Sequence, residues 1–112
     1  MQAKAKLNHM MMSARKVRQV ADELREKTVD QALNFLTVMR DRKKAALPLE
    51  KILKSAVANM ATVSPNVDTE KVFVKEVCVD SASSFKRIRA RAQGRAYRRL
   101  KRTCHISIVI SD

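Results

Sequence analysis

Residues 86–102, KRIRARAQGRAYRRLKR, hold nine Lys or Arg in seventeen positions, no acidic side chain, and the chain's single glycine, Gly94. Such a stretch cannot enter a core, because a buried charge is costly unless it is paired and nothing inside the run can pair with it. Any fold of this chain must leave the run outside, on something other than the core.

The remaining charge is placed just as unevenly. Of 24 basic and 11 acidic residues, giving a net charge of +13, the run supplies nine positive charges. Residues 1–18 supply five more, from Lys4, Lys6, Arg15, Lys16 and Arg18, with no acid before Asp22. Residues 19–85 hold ten basic and ten acidic side chains and are neutral, and Asp112 adds the last negative charge. Two unbalanced cationic segments around a neutral middle mark a surface that meets a polyanion.

With 112 residues and 46% hydrophobic content, the chain forms one domain with a modest core. No apolar run is long enough to span a bilayer or to serve as a signal peptide, so the protein is expected to stay where it is made. Cys78 and Cys104 read as two buried thiols, and with His9 and His105 they lack the spacing of a metal site. One glycine is too few for a phosphate loop of the nucleotide-binding kinds. No converging acid, base and nucleophile is visible, so an enzyme is not expected. Asp22 with Glu23, and Glu76 with Asp80, read as surface charges, and His105 as a packed or hydrogen-bonded side chain.

Along the chain, QAKAKLNH at 2–9 alternates like a short strand. Ser13 is a candidate N-cap for a helix whose apolar stripe is Val17, Val20, Ala21 and Leu24, with Arg15, Arg18, Asp22 and Arg25 opposite. Arg25 reads as a solvated charge. Arg15, Lys16 and Arg18 read as cations in the first turns, where the macrodipole disfavours them unless an anion sits on the free amides. Thr28 and Gln31 have capping-box spacing before a second helix carrying Ala32, Leu33, Leu36 and Met39. RDRKK at 40–44 reads as a solvated linker. Ala45, Leu49, Ile52, Leu53, Ala56, Val57 and Met60 define a third helix, with Pro48 either in its first turn or kinking it. TVSPNVD at 62–68 ends the helical half.

VFVKEVCV at 72–79 and HISIVI at 105–110 read as strands, the latter with Ile106, Ile108 and Ile110 on one face. If they pair antiparallel, the basic run forms the far end of a β-hairpin that reverses near Gly94, each side reaching about 40 Å at about 3.3 Å per residue. The fold expected is α+β: three helices packed on a small antiparallel sheet, with a long protruding basic β-hairpin. Its body is residues 1–80 and 103–112, and its extension residues 81–102. Seven of the nine cations in the run are arginine. Their guanidinium forks bridge phosphates and favour structured RNA, and with only Phe85 and Tyr97 nearby, recognition should rest on backbone and shape rather than base stacking.

Four ordered segments, SARKVRQVADELR at 13–25, LEKILKSAVANM at 49–60, VKEVCVD at 74–80 and FKRIRARAQGRAYRRLKRTCHISIVI at 85–110, together resemble the family of large-subunit ribosomal protein twenty-two. The chain departs from the family pattern in having SARK for SPRK, Glu26 for a glycine, Ala90 for a proline, and no glycine or proline in Ser81–Ser84. The resemblance implies a non-catalytic structural component of the large subunit, bound to ribosomes in the cytoplasm, that binds ribosomal RNA and supports assembly. It implies RNA contacts from Arg15, Lys16, Arg18, Lys86, Arg87, Arg89, Arg91, Arg95, Arg98, Arg99, Lys101 and Arg102. It also implies a hairpin tip, Arg89, Ala90, Arg91, Ala92, Gln93 and Gly94, at the wall of the peptide exit tunnel. The partners implied are large-subunit ribosomal RNA, neighbouring ribosomal proteins and the nascent polypeptide, with no cofactor, metal, membrane or small-molecule substrate. The competing reading is an architectural DNA-binding protein whose arm enters a minor groove.

Overall fold

In a computed structural model of the chain, residues 2–66 and 68–112 are described. The strands and helices, in chain order, are β1 (Gln2–Met10), α1 (Ala14–Ala21), α2 (Val29–Met39), α3 (Ala46–Val63), β2 (Phe73–Ser81), β3 (Phe85–Ala90), β4 (Ala96–Lys101) and β5 (Cys104–Ser111). Val67, in the turn expected at 62–68, lies outside the described residues. The architecture is α+β, as the sequence predicts.

Three strands form one antiparallel sheet in the order β1-β5-β2. The central strand β5 alternates between buried and half-buried residues, and Cys104, Ile106, Ile108 and Ile110 point to the covered face. Leu7 on β1 and Val79 on β2 both stand beside Ile106, and Val77 stands beside Ile108. The three helices supply much of the remaining core: Val17, Val20 and Ala21 from α1, Ala32 and Leu36 from α2, and Leu49, Leu53, Ala56 and Met60 from α3. Each fully buried Leu or Ile contributes about 1.5–3 kcal/mol relative to an exposed one.

Local chemistry sets the helix boundaries. Thr28 caps α2 with its hydroxyl on the Gln31 amide, while the Gln31 side chain returns to the Thr28 amide, both at 3.4 Å. Pro48 is the third residue of α3, in the first turn, where its missing N–H breaks no helical bond. Ser13 has the extended backbone of an N-cap, but its hydroxyl makes no capping bond. Because α1 is eight residues long, Arg18 falls in its last turn, not among the early turns expected for it. At that end of the helix a cation is favoured, so the macrodipole conflict applies to Arg15 and Lys16 alone.

Arg25 is not the solvated charge the sequence suggests. Its guanidinium pairs with Asp22 and donates through Nη2 to the Val77 carbonyl at 2.8 Å. Arg18 does the same two residues further along β2, Nε and Nη2 donating to the Val79 carbonyl at 3.1 and 2.8 Å. Earlier in β2, Val74 exchanges bonds with the segment before α2, its amide donating to the Lys27 carbonyl at 2.9 Å and its carbonyl accepting from Glu26 at 3.2 Å. The outer edge of β2 is thus occupied by two guanidinium groups and a crossing chain, which prevents it from pairing with a foreign strand. Glu26 takes φ +67 to make this crossing, a left-handed conformation that is strained for any residue with a Cβ.

The 40–44 segment is also more than a linker. Arg40 pairs with Glu50, a carboxylate only 5% exposed at the start of α3, and Lys54 pairs with the same group at 3.1 Å. These bonds, the one from Arg40 foremost, hold the Glu50 carboxyl below its usual range and fix the turn between α2 and α3.

Candidate nucleic-acid interface

Beyond Ser81 the chain leaves the body. Thr103, almost fully buried, donates its hydroxyl to the Ser83 carbonyl at 2.6 Å and accepts the Ala82 amide on its own carbonyl at 3.0 Å. This bracket closes the root of a second sheet made of β3 and β4 alone. It also interrupts the strand, so the paired ribbon is six residues per side, about 20 Å instead of the 40 Å a continuous strand would reach. Every residue from Ser83 to Arg102 is exposed, and the molecule is correspondingly elongated, 65 × 25 × 17 Å.

The ladder pairs Phe85 with Lys101, Arg87 with Arg99, Arg89 with Tyr97 and Ala90 with Ala96. Because side chains alternate across a strand, the ribbon has two unlike faces. One carries Arg87, Arg89, Arg99 and Lys101 between Phe85 and Tyr97. The other carries Ile88, Leu100, Ala90 and Ala96 beside Lys86 and Arg98. The first face is supported by contacts: the Arg87 guanidinium lies 5.8 Å from the Phe85 ring, and that of Arg91 5.9 Å from Tyr97. Arg89 and Ala90, expected at the tip, are the last paired positions of β3. The reversal itself runs through Ala92–Gly94, with Gln93 at φ +61 and Gly94 at φ +70, closed by the Arg91 amide on the Arg95 carbonyl at 2.7 Å.

Arg87 and Arg99 stand directly opposite each other, an arrangement that repels within an isolated ribbon. Among the described residues the ion pairs are Arg25–Asp22, Arg40–Glu50 and Lys54–Glu50, and none relieves the ribbon. An external polyanion bridging both guanidinium groups removes the repulsion.

The structure brings the second cationic segment to the foot of the first. Ser13, Ala14, Arg15 and Arg18 from the α1 end, with Ser81 and Arg102 from the arm root, line a cleft of about 330 Å³. The sequence places these two groups more than sixty positions apart. With Nε and Nη2 of Arg18 committed to Val79, its Nη1 is the part of that guanidinium left to face an anion there. Lys16, next to Arg15 on the same helix, lines a different cleft with the 42–44 turn.

Both thiols are held above their ordinary range. Burial pushes the Cys104 thiol up despite the nearby Arg18, and the bond from Cys78 to the Glu76 carboxylate, 3.0 Å, pushes Cys78 up. Cys78 is half-buried instead of buried as expected. His105 is hydrogen-bonded, as the sequence suggests: its Nδ1 accepts the His9 amide at 3.1 Å. Among the described residues, no helix is long and apolar enough to cross a membrane.

Comparison with known proteins accords with this arrangement. The family model for ribosomal protein L22p/L17e matches residues 5–111. The large ribosomal subunit protein uL22 of Mesoplasma florum is 46% identical over 112 residues, all of this chain and 97% of that protein. A match over nearly the whole chain takes in the body and the basic arm together, and the chain belongs to the ribosomal protein L22p/L17e family, whose members are structural and non-enzymatic.

Proposed function

We propose that the protein is built into the large ribosomal subunit by binding its ribosomal RNA, and that it supports assembly of that subunit in the cytoplasm. The observation that carries this reading is the cationic face of the β3–β4 ribbon, where Arg87 opposes Arg99 with Arg89 and Lys101 beside them and, among the described residues, no acid paired with them. The body, about 1–80 and 103–112, is the folded anchor, and the extension, about 81–102, is the segment the RNA surrounds. Lys86, Arg91, Arg95, Arg98 and Arg102 add cations along and below the ribbon, and Arg15, Lys16 and Arg18 extend the contact onto α1. Neighbouring ribosomal proteins are further partners.

In the same reading the tip, Arg89 to Gly94, reaches the wall of the peptide exit tunnel and meets the nascent polypeptide. Family membership supports this, as does the position of the turn, Ala92–Gly94, at the far end of the ribbon. A structural role, with RNA held through phosphate and shape, also accounts for an arm that has two aromatic rings and no stacking platform.

The test replaces Arg87, Arg89, Arg99 and Lys101 with Gln and follows binding to large-subunit ribosomal RNA across salt concentrations, together with sedimentation of the tagged protein in its host. The slope of log K against log salt should fall by roughly 3, since each phosphate no longer neutralised removes about 0.7–0.9. Melting of the body should not change, and the variant should be lost from large subunits in high-salt gradients. An unchanged slope, or equal losses on duplex DNA with wild-type recovery in chromosomal fractions, favours the architectural DNA reading instead.

A further inference from the structure

The two edges of the three-stranded sheet differ. On β2 the Val77 and Val79 carbonyls point outward and are taken by Arg25 and Arg18. Main-chain groups alternate in direction along a strand, so Cys78 and Asp80 turn theirs toward Ser107 and His105 of β5. Ile106 and Ile108 of β5 must then face β1, where they meet Leu7 and Ala5, and the main chain of Lys4 and Lys6 points outward. The Asn59 side chain agrees with this direction, its Nδ2 donating to the Lys4 carbonyl at 2.9 Å. Among the described residues no main chain pairs with the outer edge of β1. Lys6 therefore presents an amide and a carbonyl that are both open.

Beside this edge runs α3, and between them lies a groove of about 430 Å³. Leu7 and Met10 from β1 and Leu47 and Ile52 from α3 make most of its wall apolar. Lys6 and Lys51, both exposed, are its charged residues, and no carboxylate lines it. Asn59 bounds the open edge on one side, and the irregular pairing after Leu7, with His9 at φ +57, bounds it on the other.

Three chemistries could meet such a groove, and the observations separate them. A nucleic-acid phosphate offers acceptors only, so it leaves the Lys6 carbonyl unpaired and gains nothing from the apolar wall. A second copy pairing β1 with β1 brings Lys4 and Lys6 against the same lysines, and like charges across a ladder destabilise it. An extended polypeptide supplies both a donor and an acceptor to Lys6. Its side chains alternate, so one set enters the groove over Leu47 and Ile52 while the other lies on the open face beside Lys6. The apolar wall selects apolar residues for the first set, and Lys6 with Lys51 selects carboxylates for the second.

We propose that the outer edge of β1 with α3 is a strand-addition site for an extended segment of another protein, one that alternates apolar and acidic residues. Main-chain bonds to Lys6 supply the affinity and the groove supplies the selectivity. The site is separate from the RNA contact assigned to the arm and does not depend on it.

The experiment uses the purified full-length protein and two short blocked peptides, one alternating valine with glutamate and the other alternating valine with lysine. Binding is read from fluorescence anisotropy of labelled peptide and from hydrogen exchange of the Lys6 amide. The glutamate peptide should bind more tightly than the lysine peptide and slow exchange at Lys6. Lys6→Gln should weaken it about two- to fivefold, as loss of an exposed ion pair does. Lys6→Pro, which also removes the outward N–H at an edge position where proline is tolerated, should weaken it a further roughly two- to tenfold. Leu47→Asp, at an exposed position of the groove, should also abolish binding and serves if Lys6→Pro does not fold. Equal binding of the two peptides, or a Lys6 amide whose exchange neither slows, overturns the site. Protection of that amide by single-stranded RNA but not by peptide assigns the edge to nucleic acid and overturns it as well. A dimer in sedimentation that Lys6→Pro dissociates would assign it to a second copy.

Discussion

Arg18 is the residue whose role changes most between sequence and structure, and replacing it with Met separates the two. Met keeps an unbranched apolar stem and removes the guanidinium, so what disappears is the pair of bonds to the Val79 carbonyl at 3.1 and 2.8 Å. Bonds from a charged donor are worth about 1.5–3 kcal/mol. Here two donors share one acceptor at a sheet edge that water can reach once the arginine is gone, which brings the expected loss down to about 1–2 kcal/mol. An unfolding entropy of about 2.1 cal/mol/K per residue converts this into a drop in melting temperature of about 4–8 °C for a chain of this length. Removing one charge from a protein of net charge +13 acts in the opposite direction by relieving repulsion. Salt separates the two effects, because repulsion is screened and a local hydrogen bond is screened much less. Thermal unfolding followed by circular dichroism at low and high salt should show a loss that grows slightly with salt. A melting temperature that is unchanged or raised at high salt would refute the role of Arg18 as a staple between α1 and β2.

Glu26→Gly should raise stability by about 0.5–1 kcal/mol in urea unfolding, since relief of about 1–2 kcal/mol of left-handed strain exceeds glycine's entropic cost of about 0.5–1 kcal/mol. Glu26→Ala should gain nothing, because the strained φ +67 remains. The Glu50 carboxyl is depressed by its bonds to Arg40 and Lys54, so it binds its proton less readily when folded than when unfolded. Its contribution is therefore present above the ordinary carboxylate range and is lost as pH falls through the depressed folded value; Glu50→Gln should flatten that acid limb in a pH series of urea midpoints. Ile108→Ala, in the middle of the central strand and fully buried, should cost about 2–5 kcal/mol and abolish the cooperative melt or shift it far down.

Much of the body is legible from periodicity, because burial on one face of a strand or helix imprints its period on the residues. Ile106, Ile108 and Ile110 announce β5, the spacing from Leu49 to Met60 announces α3, and Thr28 with Gln31 announces the start of α2. Periodicity is silent about bonds between distant segments. Arg25 reaches a carbonyl 52 positions away and Arg18 one 61 positions away, and each bond lies on main chain, where no residue type advertises it. The partner of Glu50 and the meeting of Lys16 with the 42–44 turn are hidden for the same reason. Charge counting locates the arm, but the division of its ribbon cations, four on one face and two on the other, requires the register of Arg87 with Arg99. In sequence Glu26 stands out only against the glycine that the resemblance leads one to expect, and no periodicity announces its positive φ.

The bracket that Thr103 places at Ala82 and Ser83 has a mechanical consequence. The arm is a lever about 20 Å long, so a rotation of about 5° at its root sweeps the tip through about 2 Å. The hydrogen bond that Thr103 donates to Ser83, the one it accepts from Ala82, and the clamp of Arg18 on Val79, two residues before Ser81, are what resist that rotation. Where the tip points is therefore decided at its fulcrum. A change at Thr103 or Arg18, with no atom near Gly94, alters the aim of the far end as surely as a change in the turn itself.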